Sequence, residues 1–506
     1  MSRSWLQQAA RVAIPLGLVG TLFLADSVNA AERKAAPGAL KLKITETPLG
    51  YIPSLVEKSN WVISADNTKA AIAVRRGGGW SVWFNGKEMG PYKQVKSVTF
   101  SPDSERFVFG ATRGPGQAVL VRHGQELSTS NLASPVLYSP DSQHLAYFDG
   151  RSQEGISWLK IFVVRDSQPG PEFDSRSSDE FLFSPDSQRL AYGAGRFAPA
   201  VAGRPSSTHE ALPGPVAVDS VVVVDGVESR AYDAIGKDTL QFSADSRHYA
   251  FVGLRAGKSR VVVDAKEGRQ YEEINAPSLG LSPNGQQVAY AAQREGKWRM
   301  VVNDQEEEPF ELPADCRVAF SPDSQEMAYA AQMEGQKRVV VDGHPGPALE
   351  EMDAGGIAFS PDSRHYAYIA QVGGKVRLML DGKPSGTSSG RCPGEKPWFS
   401  PDSRRVAWIA FHGAKVLVAE ADREGQECDD ILQGSVKFSS DSKHLAYIGV
   451  VGKKSVILLD GREVRSYDDT GYKLVFTGPR HFRVIAQRFD DSFREQLVKV
   501  DVELEE

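Results

Sequence analysis

The sequence predicts an all-β fold, a β-propeller of about eleven four-stranded blades, and three observations carry that expectation. The phrase Phe359-Ser360-Pro361-Asp362-Ser363-Arg364-His365-Tyr366-Ala367-Tyr368 recurs, with near-identical text beginning at Phe100, Tyr138, Phe183, Phe242, Leu281, Phe320, Phe399 and Phe438. Its serine, or Thr477 in the last and weakest copy, stands at 64, 101, 139, 184, 243, 282, 321, 360, 400, 439 and 477. Within each period, β-branched and aromatic runs alternate with turn residues. A fixed period near 40 residues with that content is the mark of a blade array.

One unit, residues 317–352, shows what a period builds. Val318-Ala319-Phe320 forms a short strand, and Ser321-Pro322-Asp323-Ser324 a tight turn in which proline presets φ and the polar side chains bond nearby amides. Met327-Ala328-Tyr329-Ala330-Ala331 is a second strand and Arg338-Val339-Val340-Val341 a β-branched third. Asp342-Gly343 is a hairpin signal, leading to a weaker fourth strand around residues 348–352. Eight residues past most of the serines stands an aromatic: Phe109, Tyr147, Tyr192, Phe251, Tyr290, Tyr329, Tyr368, Trp408 or Tyr447. All but Phe109 follow an alanine. Small and large side chains in fixed alternation suit sheets stacked face to face, so this ladder is assigned to the core.

Taken in order, residues 1–30 have the layout of a secretory signal peptide. Arg3 and Arg11 precede an apolar run at residues 12–24, and Val28-Asn29-Ala30 offers a cleavage site. That run is too short to span a bilayer comfortably, so a periplasmic or secreted protein with no transmembrane segment after cleavage is expected. The formal charge of −6 has no basic block to set against it, which argues against nucleic acid as a partner. Residues 31–40 form a spacer and residues 41–506 the repeat array. Strand-like text at residues 41–56 and a last unit one strand short predict closure by pairing of the termini. Near-constant spacing from 243 to 477 favours a single large ring over two tandem propellers. The insertion at residues 197–218 falls between the second and third strands of its own unit, and its Ala, Pro and Ser content marks a protruding loop.

No stretch supports catalysis or a metal. Gly386-Thr387-Ser388-Ser389-Gly390 fits G-x-S-x-G, but the nucleophile elbow needs a strand before and a helix after, and this context is a polar loop. Glu420-Ala421-Asp422-Arg423-Glu424-Gly425 opens like a calcium loop yet has Ile431 at the twelfth position. Cys316, Cys392 and Cys428 show no CxxC spacing, and whether Cys392 and Cys428 bridge is open. No cofactor is expected.

One polar register is repeated just past each turn: Glu105-Arg106, Gln143-His144, Gln188-Arg189, Arg247-His248, Gln286-Gln287, Gln325-Glu326, Arg364-His365, Arg404-Arg405 and Lys443-His444. Equivalent positions of successive blades lie on one circle, so Arg106, His144, Arg189, His248, His365, Arg405 and His444 are the candidate rim for a ligand or partner.

The repeated Phe-Ser-Pro-Asp-Ser-x-x-x-Ala-Tyr, followed by a Val-rich strand and Asp-Gly, resembles the WD-like repeats of TolB-type bacterial propellers over roughly residues 60–490. The resemblance implies a propeller. That family usually has glycine after Pro-Asp, where this chain has serine almost throughout and glycine only at Gly285. Its partners do not carry over, because the α/β domain of TolB has no counterpart before these repeats. The function expected is a non-catalytic exported scaffold that binds a protein or cell-envelope component through one loop face. The alternatives are an enzyme of lyase or glycosidase type with a central-channel site, and a small-ligand sensor.

Overall fold

The computed structural model describes residues 41–505, apart from 54–56, 59–60, 123, 130–132, 153–158, 178–180, 198–217, 314–315, 353–355, 389–395, 421–422 and 433. The expected signal peptide at residues 1–30, the expected spacer to residue 40, most of the insertion and Cys392 lie outside the described residues. The repeat array, Leu42–Glu506, forms one compact unit.

Eleven antiparallel sheets follow one another along the chain. In blade 7, Val318–Phe320 pairs with Met327–Met333, that strand with Gln336–Val341, and the last with His344–Pro345. Asp342 and Gly343 hold φ of 46° and 74°, the left-handed pair that closes a two-residue hairpin with the right twist. The expected fourth strand around residues 348–352 is corrected. The fourth strand starts directly after Asp342-Gly343, and Glu351–Met352 pairs with Gln371 and Ala370 as the first strand of blade 8. The chain leaves the outer edge because Gly346 donates to Val339 O at 2.8 Å in a bulge, after which Leu349 makes one bridge to Lys337.

The core lies between blades, as sheets with two apolar faces require. Ala146, Ala191, Ala250, Ala289, Ala328, Ala367, Ala407 and Ala446 are fully buried. So are the aromatics that follow them, except that half-buried Tyr147 yields its place to Phe148. Each cluster joins two blades: Ala291 and Met300 of blade 6, for example, pack with Met327 and Tyr329 of blade 7. Burying one such side chain stabilises the fold by about 1.5–3 kcal/mol.

Closure settles the architecture. Leu42–Tyr51 pairs with Glu495–Leu504, from Leu42 opposite Leu504 to Tyr51 opposite Gln496, and so supplies the outer strand of blade 11. That blade packs through Phe482 and Val500 on Leu459 of blade 10, and through Ile485 and Leu497 on Ile63 and Ile72 of blade 1. The fold is therefore a single ring of eleven blades with no open sheet edge at the seam.

Polar locks repeat between blades at the outer edge. Tyr92 donates to Glu126 Oε1 at 2.9 Å, Tyr232 to Glu267 Oε1 at 3.0 Å, and Tyr467 to Glu46 Oε1 at 2.7 Å, each across a blade boundary. An arginine completes each group: Arg113 on Glu126, Arg260 on Glu267, Arg488 on Glu46.

Candidate binding face

The face is built by the Ser-Pro-Asp-Ser turns. In blade 8 the buried Ser360 hydroxyl donates to Asp362 Oδ1 at 2.6 Å and accepts the His365 amide at 3.0 Å. Asp362 Oδ1 also accepts the Arg364 amide at 3.2 Å. The Ser360 hydroxyl is the main cause holding the Asp362 carboxyl below its ordinary range. The same holds for Asp103, Asp141, Asp186, Asp245, Asp323, Asp402 and Asp441, each with its own serine. These carboxylates are turn formers, as their spacing suggested.

The second serine of the phrase takes a left-handed backbone, as Ser363 does at φ 63°. It accepts a hydrogen bond from the preceding blade: Asp323 N to Ser363 Oγ at 3.0 Å, Asp362 N to Ser403 Oγ at 3.1 Å, Asp402 N to Ser442 Oγ at 3.0 Å. The same link joins Asp66 to Ser104, Asp103 to Ser142, Asp141 to Ser187, Asp186 to Ser246 and Asn284 to Ser324. Glycine would adopt this backbone more easily but has no acceptor. The departure from the usual glycine is thus a belt of hydrogen bonds around the ring. At Gly285 the belt changes, and Asp245 N donates to Pro283 O instead, at 3.0 Å.

In an antiparallel meander, the first–second and third–fourth turns share one end of the blade. The rim residues sit there beside the Asp-Gly hairpins and are engaged. His144 Nδ1 donates to Asp166 Oδ2 at 2.6 Å, and His248, His365 and His444 pair likewise with Asp264, Asp381 and Asp460. Arg189 bonds Asp225 Oδ2 through Nε at 2.9 Å and reaches Arg247 O in the next blade at 2.9 Å. Arg405 grips both oxygens of Glu420 at 2.7 Å and reaches Ser442 O at 2.7 Å. Arg106 donates to Ser142 O. All seven candidates lie on one end of the ring, spread over seven blades and each tied to the fold. Glu326 occupies the same register in blade 7, where burial and then Asp342, Asp323 and Asp381 push its carboxyl up.

Sequence reasoning missed the partners of these residues. The interval to the hairpin aspartate is 16 residues for His248, His365 and His444 but 22 for His144 and 36 for Arg189, so spacing gave only a partial signal. It also missed the side chains that remain unpaired. Arg247, Arg364, Arg404 and Arg423 are exposed and have no ion-pair partner among the described residues. Clefts open between blades on this face; a small one, of about 310 Å³ between blades 3 and 4, is lined by Arg165, Gln188 and Asp225, and two are larger. One, of about 460 Å³ between blades 5 and 6, is lined by His248, Asp264, Lys266, Glu267 and Asp304. The other, of about 450 Å³ across blades 8 to 10, is lined by Leu378, Val406, Arg404, Arg423 and Lys443.

Ser388, the serine of the G-x-S-x-G text, ends the outer strand Lys383–Ser388. Glu420 is held by Arg405, and no group of three or more potential metal ligands occurs among the described residues. Cys316 and Cys428 are free and buried, and burial pushes their thiols up to about 12 and about 11.

No family model and no curated protein matches the chain. Solved structures do. A eukaryotic initiation factor is 16% identical, with 69% of this chain and 93% of that one covered and a TM-score of 0.37. TolB from Acinetobacter baumannii is 15% identical over 57% of this chain and 62% of that one, with a TM-score of 0.22. The β-propeller domain of the Trilobed protease from Pyrococcus furiosus is 10% identical, covered at 58% and 97%, with a TM-score of 0.27. At such scores these likenesses carry no argument, and the propeller rests on the eleven sheets themselves.

Proposed function

We propose that the chain is a non-catalytic exported scaffold of the TolB-type, WD-like repeat class that holds a protein or cell-envelope component on its Ser-Pro-Asp-Ser face. One observation supports this most. In blades 5, 8 and 9 the residue pair after the turn divides its labour: His248, His365 and Arg405 are locked into the blade, while Arg247, Arg364 and Arg404 stand exposed with no ion-pair partner among the described residues. A rigid frame carrying free guanidiniums is suited to recognition, because the frame keeps the ordering cost of binding small. The leader-like residues 1–30 support export.

The test is capture from an envelope extract with the full chain, followed by lysine cross-linking and mass spectrometry. A partner on the proposed face cross-links to Lys266, Lys383 or Lys443, beside the hairpins and turns of that end. Cross-links confined to Lys297, Lys375, Lys415 and Lys454, at the second–third turns of the opposite end, would overturn the assignment.

A further inference from the structure

The face is not electrically uniform. After the turn, blades 6 and 7 carry Gln286-Gln287 and Gln325-Glu326, whereas blades 8, 9 and 10 carry Arg364-His365, Arg404-Arg405 and Lys443-His444. In those three blades the second residue is spent on Asp381, Glu420 or Asp460. The first is exposed.

Between them runs the cleft of about 450 Å³, within the size range of ligand sites. Its lining includes half-buried Leu380 and Val406, buried Leu378, and Arg404, Arg405, Arg423 and Lys443. Its single carboxylate, Glu420, is held on both oxygens by Arg405. Lys443 lies 3.9 Å from Asp441, a loose pair on a side chain 74% exposed. Arg404 and Arg423 have no ion-pair partner among the described residues. The cleft thus presents two exposed guanidiniums beside apolar side chains, with no ion pair to either among the described residues and Asp402 acting on Arg404 only through its field.

We propose that this cleft receives a short segment of a partner polypeptide carrying a carboxylate next to an apolar side chain. The inference rests on the reading of this end of the ring as the binding face. A guanidinium fork matches the two oxygens of a carboxylate in geometry and charge. Leu380 and Val406, both half-buried, take the neighbouring apolar group. The surroundings limit how much negative charge the occupant carries. Asp362, Asp402 and Asp441 flank the cleft on the three turns, and their serines keep them ionised. A polymer charged at every unit places several charges within a Debye length of about 10 Å of these aspartates and so meets more repulsion than one carboxylate held by the guanidiniums.

Fluorescence anisotropy with the full chain tests this, using a labelled peptide of two glutamates flanked by leucines. The same peptide with glutamines and inorganic polyphosphate serve as the other probes. The glutamate peptide is expected to bind, and the glutamine version to bind at least about tenfold more weakly. Arg404→Gln with Arg423→Gln should weaken the glutamate peptide by a similar factor, with Lys297→Gln at the opposite end leaving it unchanged. Both arginines are exposed, and a thermal melt confirms that the double variant folds. Indifference of the peptide to the double variant overturns the proposal. So does polyphosphate that binds more tightly than the peptide with the same dependence on Arg404 and Arg423. If the cleft fails while cross-links still map to Lys266, Lys383 or Lys443, the binding face stands and only the occupant of the cleft is wrong.

Discussion

The backbone amide of Asp103 donates to Ser142 Oγ at 2.8 Å, and Ser142 holds a φ of 66° to receive it. The pair belongs to blades 2 and 3, and eight links of this kind join neighbouring blades. Each exchanges a small backbone strain for a polar bond between sheets whose shared core is apolar.

Replacing Ser142 by alanine keeps the left-handed strain and leaves the Asp103 amide without its acceptor. A loss of about 1–3 kcal/mol in denaturant unfolding is expected. An unchanged midpoint would show the belt to be incidental.

The seam uses a different device. Asn67, fully buried in blade 1, stands where other blades have the second serine and donates its amide to Lys473 O and Arg483 O of blade 11, both at 3.0 Å. Blade 11 has Gly478-Pro479 in its own turn, with no Asp amide to offer, so a donor replaces the acceptor. Asn67→Ala should cost about 1–3 kcal/mol by stranding the two carbonyls. Removal of residues 42–51 should expose the Glu495–Leu504 edge and yield oligomers in size-exclusion chromatography.

At Gly285 an added Cβ would lie 2.2 Å from His248 Cδ2, and the His248 ring is held by Asp264 at 2.6 Å. Gly285→Ser restores the common phrase yet must dislodge the histidine, so it should destabilise by about 1–3 kcal/mol. The same substitution in a His248→Ala background should cost far less. Equal costs in the two backgrounds would rule out the clash.

Stability should fall on both flanks of pH. The turn aspartates have folded carboxyls below their ordinary value of 3.8, so their contribution is present above that value and is lost as pH falls through the lower folded values. Cys316 and Cys428 behave oppositely. Their folded thiols titrate near 12 and 11 against 9 unfolded, so stability is full below pH 9 and declines as pH rises toward those values. Tyr92, raised to about 12 by burial, adds to the alkaline loss. Thermal melts from pH 2 to 11 check both limbs. A midpoint flat between pH 8 and 11 would contradict the alkaline one.

The sequence by itself determined the blade, the count of blades and the need for closure. Strand period, Asp-Gly hairpins and Ser-Pro-Asp-Ser turns are local chemistry, written out in each repeat. It also placed Arg106, His144, Arg189, His248, His365, Arg405 and His444 on one end, because repeat register maps onto a circle. Only the tertiary structure decided one ring over two, since that depends on which sheets meet Phe482 and Ile485 of blade 11. It alone showed that six of those rim side chains are spent on Asp166, Asp225, Asp264, Asp381, Glu420 and Asp460, while Arg404 and Arg423 beside them have no ion-pair partner among the described residues. Local propensity fixes which turn forms. Whether a charge at that turn finds a partner depends on distances between strands and blades, and no linear spacing encodes them.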